Sequence, residues 1–226
     1  MNKKLAIFWF RRDLRLNDNA GLYHALKNNS KVLPIFIYDK NTLDKLNGSD
    51  HRLDFIEFSL KKINTLLIKK NKSVSIYYGK PLNIFLELVK KYNISKVYTN
   101  NDYTPYSVKR DNTIKELLTS KNIEFYSYKD HVLFEKSEIV KKDNTPYKVY
   151  TPYSRKWMLK MSEINIDFFN SEQILHTVEA MEDDPVTEGD DGGDGGDGDG
   201  DGDGDGDGKS PAEKLMDLRY PEYRKK

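Results

Sequence analysis

The chain contains no cysteine, which excludes disulfides and thiolate-bound metals and fits a reducing compartment. Glycine is almost as scarce over most of its length, with only Gly21, Gly48 and Gly79 in residues 1–178. Three dispersed glycines cannot build a Gly-x-Gly-x-x-Gly turn or a Walker-type loop, so a dinucleotide held by a glycine-rich turn is not expected. No apolar run approaches the ~20 residues of a membrane span, and the amino terminus lacks a signal-peptide pattern. The expectation is a soluble, cytoplasmic protein without a membrane partner. The histidines at 24, 51, 131 and 176 follow no metal-ligand spacing, and no Ser/His/Asp order stands out, so neither a metal site nor a catalytic residue is assigned.

The formal charge of +1 conceals a segregation. Residues 1–178 hold 31 Lys and Arg against 19 Asp and Glu, a body of about +12. Residues 179–208 hold fourteen acidic side chains, no basic ones and eleven of the fourteen glycines. Residues 209–226 are a short basic segment with six Lys and Arg against three acids. A basic body admits phosphate-bearing partners through counterion release, although its lysines are scattered among Asn and Ile and form no compact run. The nearly pure Gly-Asp alternation of 189–208 has no apolar side chain to bury and repels itself, so it is expected to be disordered. It reads as a spacer, an electrostatic brush, or an intramolecular competitor that mimics a phosphate backbone. Alternating carboxylates suit calcium, but calcium repeats also carry an apolar residue in each unit, and only diffuse cation binding is expected.

Residues 5–10, 32–38, 74–78, 96–99 and 123–128 are short runs rich in Ile, Val, Phe and Tyr. Segments with helical spacing separate them. Residues 19–28 follow Asp18 as a cap, and residues 51–70 carry Leu53, Ile56, Leu60, Ile63 and Leu67 at steps of three and four. Pro81 suits a first helical turn ahead of Leu82, Phe85, Leu86 and Val89, and Ile114, Leu117 and Leu118 make a shorter stripe. The alternation predicts a doubly wound, Rossmann-like α/β domain over residues 1–130, with a five-stranded parallel sheet and flanking helices. Residues 131–178 form a linker and one further helix, with Thr151 as cap and Pro152 in its first turn.

The motif-bearing residues begin where the first strand ends, in Trp9-Phe10-Arg11-Arg12-Asp13-Leu14-Arg15-Leu16-Asn17-Asp18-Asn19. Charged side chains at the carboxyl end of a parallel strand stand where α/β sheets bind ligands. Arg11, Arg12, Asp13 and Arg15 read either as an ion-pair lattice that fixes the loop or as contacts to a ligand or a neighbouring domain. Further blocks follow: Leu33-Pro34-Ile35-Phe36-Ile37-Tyr38-Asp39, then residues 48–60 with Arg52, Phe55 and Leu60, then Gly79-Lys80-Pro81. Residues 97–106 with Arg110-Asp111, and residues 147–157 ending in Trp157, close the series. Six blocks in this order resemble the amino-terminal α/β domain of the DNA photolyase/cryptochrome family.

That resemblance implies a light-driven DNA-repair lineage in which an antenna chromophore binds in or beside the α/β domain. Arg52, Asp102, Tyr106 and Arg110 are the candidate pocket residues, with Asp102 as acceptor for heterocyclic N–H groups, Tyr106 as a stacking ring and Arg110 meeting an anionic tail. The folate-binding members carry an Asn-Glu pair where Tyr106-Ser107 stands, which favours deazaflavin or flavin over methenyltetrahydrofolate. In such photolyases FAD and the DNA-facing groove belong to a helical domain beyond the counterpart of residue 160, so FAD is expected for the family but not held by this chain. DNA binding by this chain is expected to be weak or absent, and repair by this chain alone is not expected. The alternative is a non-catalytic nucleotide- or nucleic-acid-binding module of the same fold, or an interaction protein regulated by its acidic tail. Eight tyrosines between Tyr98 and Tyr153 read mainly as half-buried packing, with a stacking platform for single strands as the competing view.

Overall fold

A computed structural model describes residues 4–46 and 50–179 of the chain. Five parallel strands, β1 (Leu5–Phe10), β2 (Val32–Asp39), β3 (Ser75–Gly79), β4 (Ile94–Asn100) and β5 (Glu124–Tyr128), lie in the order β3-β2-β1-β4-β5. Helices α1 (Ala20–Asn28), α3 (His51–Ile68), α4 (Pro81–Lys91) and α5 (Pro105–Ser120) are the crossovers, and α2 (Lys40–Leu43) is one short turn after β2. The expected α/β sheet is present. The expected acidic tail and basic end fall outside the described residues.

The apolar runs become strands because both faces of the sheet are covered, so no polar alternation is needed. Every residue of β1 is buried. Ala6, Phe8 and Phe10 pack on one face with Leu22 and Ala25 of α1 and Leu60, Ile63 and Leu67 of α3. Leu5, Ile7 and Trp9 pack on the other with Ile84, Phe85 and Leu88 of α4 and Ile114 and Leu118 of α5. The same odd and even division continues through β2, β3 and β4, as the period of two requires. Pro34 is tolerated inside β2 for a register reason. Val32 directs its carbonyl away from β1, to Glu179 N at 2.8 Å, so Pro34, two residues on, faces the same side. Pairing with β3 starts only at Ile35, opposite Ser75, and the missing amide breaks no ladder bond.

Two caps differ from expectation. Asn19, not Asp18, caps α1, its side chain accepting from Leu22 N at 3.0 Å. Asp18 has φ of 48° and accepts instead from Phe169 N at 2.9 Å. Helix α6 (Tyr150–Glu163) begins after Val149, which offers no side-chain cap, and Thr151 lies inside the helix. None of its residues is buried; Trp157 meets Phe134 edge-on at 5.5 Å and Lys160 donates to Glu138 O at 3.0 Å. The chain then returns across α1 as a 3₁₀ segment, Ser171–Thr177, and Val178 bridges Val32 at the amino edge of the sheet. No helix among the described residues is long and apolar enough to cross a membrane.

Helix α1 approaches β4 at Gly21, whose N–H donates to Asn100 Oδ1 at 2.7 Å. A β-carbon there would stand 2.5 Å from Asn100 Oδ1 and 3.0 Å from both Phe8 Cε2 and Thr99 O. Two of those neighbours are strand atoms or a buried ring and cannot withdraw. Gly21→Ala is therefore expected to lower stability by about 1–3 kcal/mol despite alanine's better helix propensity, read as a lower urea midpoint at unchanged m-value.

Candidate functional site

The strand order reverses between β1 and β4, so the loops that leave their carboxyl ends diverge and open a crevice. Side chains tie those loops together. Arg11 donates to Asp111 Oδ2 at 2.5 Å and to the Asn100 carbonyl. Arg12 reaches Asp102 Oδ2 at 3.1 Å, and Arg15 reaches Asp130 Oδ2 at 2.8 Å. Asp13 is 6% exposed and accepts from the amide groups of Asn100 and Asn19, with His131 Nε2 at 3.7 Å from its other oxygen. Burial disfavours the Asp13 anion, yet the His131 and Asn100 contacts outweigh it and its pKa lies below the usual carboxylate value. The four charged residues of this loop thus form an ion-pair lattice spanning β4, α5 and the segment after β5.

Beside that lattice lies a cleft of about 450 Å³, within the ordinary range for small-molecule sites. Its apolar floor is Phe36, Tyr38, Leu43, Leu46 and Ile56, and its opposite wall is Trp9, Tyr106 and the guanidinium groups of Arg11, Arg12 and Arg110. Asp39 and Asp102 add carboxylates from the ends of β2 and β4. Trp9 is 2% exposed and has two guanidinium carbons over its ring, Arg11 at 5.1 Å and Arg110 at 4.8 Å. Arg110 also lies over the Tyr106 ring at 5.8 Å.

The cleft's polar groups are unevenly satisfied. Tyr106 donates to Asp39 Oδ2 at 2.6 Å and accepts from Asn41 Nδ2 at 3.2 Å. Arg110 Nε donates to Asp111 Oδ1 at 2.9 Å, while its second terminal nitrogen, 2.9 Å from the same oxygen, lacks hydrogen-bond alignment. Trp9 Nε1 is a buried donor without a hydrogen-bond acceptor. Burial lifts Asp39 above the ordinary carboxylate range, more than Tyr106 and Arg110 lower it. Burial also opposes ionisation of Asp102, but Ser107, Arg12 and the Thr104 N–H hold it below that range. Tyr106 is pushed up to about 12 by burial and by its bond to Asp39. The cleft therefore offers one firmly ionised acceptor, one reluctant carboxylate and an ion-paired guanidinium with a poorly aligned donor, beside the unpartnered Trp9 Nε1.

Of the residues singled out from sequence, Asp102, Tyr106 and Arg110 converge here, joined by Arg11 and Arg12. Arg52 does not. It sits in the first turn of α3, exposed, with Nε 2.8 Å and a terminal nitrogen 2.5 Å from the two oxygens of Asp50, which it holds down to about 2. Asp13 and Arg15 face the lattice, not the cleft. Trp9, Asp39 and Asn41 were not predicted as lining residues, and the available signal was positional, since each ends or follows a strand at the sheet's carboxyl edge. Tyr98 is buried, half-buried Tyr126 stacks on it at 5.1 Å, and half-buried Tyr103 donates to Glu135 at 2.5 Å, whereas Tyr150 and Tyr153 are exposed on α6.

The family model described as DNA photolyase matches residues 6–172. A deoxyribodipyrimidine photo-lyase of Alkalihalophilus pseudofirmus is 32% identical over 158 residues, covering 68% of this chain and 32% of that protein. Cryptochrome-1 of Macaca fascicularis is 27% identical over 183 residues, covering 79% of this chain and 31% of that protein. An archaeal photolyase from Sulfolobus tokodaii, solved with two FAD molecules and described as implying a novel light-harvesting cofactor, superimposes with a TM-score of 0.62 at 28% identity. The match covers 76% of this chain and 41% of that one. The chain spans about a third of the length of the two curated relatives.

Because Asp13 is held below its unfolded value, the stability it contributes is complete above the ordinary carboxylate pKa of ~4 and is lost as pH falls through its lower folded value. Asp13→Asn is expected to lower the urea midpoint at neutral pH and to flatten its fall between pH ~4 and ~2, so that wild type and variant converge in acid. A constant offset across that interval would show that the carboxylate charge is immaterial.

Proposed function

Since the chain belongs to the DNA photolyase family, we propose that its α/β layer is a light-harvesting domain that holds a flavin or deazaflavin in the cleft at the carboxyl edge. The observation that carries this reading is a cleft lined by Trp9, Tyr106 and arginines, in which Trp9 Nε1 is a buried donor without an acceptor and the Arg110 terminal nitrogen has an ion-pair partner but no aligned hydrogen bond. Leaving a donor such as Trp9 Nε1 buried costs about 1–3 kcal/mol, which a ligand rich in ring carbonyls would recover. A flavin ring also carries one imide N–H, and ionised Asp102 is the matching acceptor. Tyr106 supplies a face for stacking, and Arg12, 59% exposed, is placed to meet an anionic side chain or phosphate.

Methenyltetrahydrofolate is the weaker candidate. Tyr106-Ser107 replaces the Asn-Glu pair of the folate binders, and both hydroxyls are engaged, Tyr106 with Asp39 and Ser107 with Thr104 at 2.8 Å. The architectural neighbour solved with two FAD molecules supports a flavin in the antenna role. When bound, such a pigment supplies an excited state whose energy can pass to a catalytic flavin. The residues of this chain bind and orient the ring, exclude water through the floor of Phe36, Leu43 and Ile56, and hold charge near its edge. FAD-dependent repair of pyrimidine dimers, and the DNA contact it needs, are assigned to a complete photolyase-type protein of which this layer is one part.

Titration of FMN, FAD and a 5-deazaflavin with the purified chain is expected to give saturable quenching of ligand fluorescence for at least one of them. Tyr106→Ala and Arg110→Gln, which alter a half-exposed ring and a cleft-side cation, are each expected to weaken that affinity by about tenfold, or ~1.4 kcal/mol, with unchanged circular dichroism. Absence of saturable quenching, or affinity indifferent to both substitutions, would refute the assignment.

A further inference from the structure

The two edges of the sheet carry different kinds of charge. At the carboxyl edge the arginines are matched by aspartates, as described. At the amino edge, where antiparallel crossover helices end and strands begin, the cations are lysines: Lys27 in the last turn of α1, Lys69 capping α3, Lys90 and Lys91 ending α4, and Lys121 capping α5. All five are exposed. Carboxyl ends of helix dipoles favour such placements one at a time, but the topology gathers four helix ends on one rim. The acids near them include Glu87, one turn before Lys90 and Lys91 on α4, Glu124, which accepts from Tyr126, and Glu179, which lies 3.4 Å from Lys31.

Glu179, whose N–H donates to Val32 O at 2.8 Å, is the last described residue and precedes an acidic run in the sequence. Nine aspartates fall within residues 190–207, interleaved with glycine. A random-coil chain of the 11–28 residues that separate those aspartates from Glu179 would span roughly 17–30 Å. The rim is about 19 Å wide, four inter-strand steps of ~4.8 Å. Tethering places the aspartates at an effective concentration on the order of millimolar beside the rim.

We propose that the Gly-Asp segment 190–207 docks on the lysine-bearing amino edge of the sheet as an intramolecular polyanion, covering a surface that otherwise takes external polyphosphates. The occupant is this segment because it follows Glu179, which lies at that rim, within reach of the lysines, and because its charge is of the opposite sign. At the carboxyl edge the arginines face neighbouring aspartates, which compete with any incoming polyanion. The contact is polyelectrolytic, without a fixed register, so it weakens steeply with salt.

Zero-length carbodiimide coupling of carboxylates to lysines in the full chain, followed by peptide mapping, tests this directly. Links from the 190–207 aspartates are expected to favour Lys27, Lys69, Lys90, Lys91 and Lys121 over Lys45 and Lys109 of the opposite edge by about fivefold or more at low ionic strength. They should fall by a similar factor at ~1 M salt, where the screening length is ~3 Å. Equal links at both edges, links indifferent to salt, or none at all would overturn the proposal. A full-length variant with those nine aspartates changed to asparagine provides the second reading. It should retain a short single-stranded oligonucleotide about tenfold more tightly than the unchanged chain, with a salt-dependent affinity. Equal retention by the two proteins would also overturn it, whereas flavin binding in the opposite cleft is indifferent to either result.

Discussion

The amide side chain of Asn100 joins the two halves of the sheet. It donates to Asp13 and, at 2.9 Å, to Asn19 Oδ1, and it accepts from Gly21 N at 2.7 Å. One side chain at the end of β4 thereby holds the loop after β1, the cap of α1 and the helix's first turn. Each contact is buried, so water cannot replace a lost partner, and the group is worth more than exposed pairs of similar length. The cleft exists because this knot fixes where Arg11, Arg12 and Trp9 stand relative to Asp102 and Arg110.

Much of the fold was legible because burial on both faces turns strands into uninterrupted apolar runs. Residues 5–10 were delimited as β1 occupies them, and the other four strands differ by a residue or two at their ends. The helix caps were harder. Asp18 and Asn19 are equally good cap residues, and what separates them is a bond from Phe169, 151 positions away. Thr151 is a better cap than Val149 by propensity, yet α6 packs so little that its start follows the preceding chain.

The candidate site was legible as a set of blocks and illegible as a geometry. Asp102, Tyr106 and Arg110 sit within one loop and the following helix, so sequence proximity alone kept them together. Arg52 belongs to a helix whose first turn faces its own Asp50, a local pairing that spacing does not announce. Asp39 and Asn41 enter because β2 neighbours β1, and that adjacency depends on the order of strands. The partners of Arg11, Arg12 and Arg15 lie 90 to 115 residues downstream, so the lattice was foreseeable in kind but not in its pairings.

The first strand begins at Leu5 and the last described residue is Glu179, and both positions lie on the amino edge, opposite the mouth of the cleft. Material grafted onto either end therefore emerges on the far side from any bound pigment. The unit is in that sense a portable cassette: appended sequence can be exchanged or lengthened without blocking the entrance, so selection can vary what is attached and what is bound as separate matters.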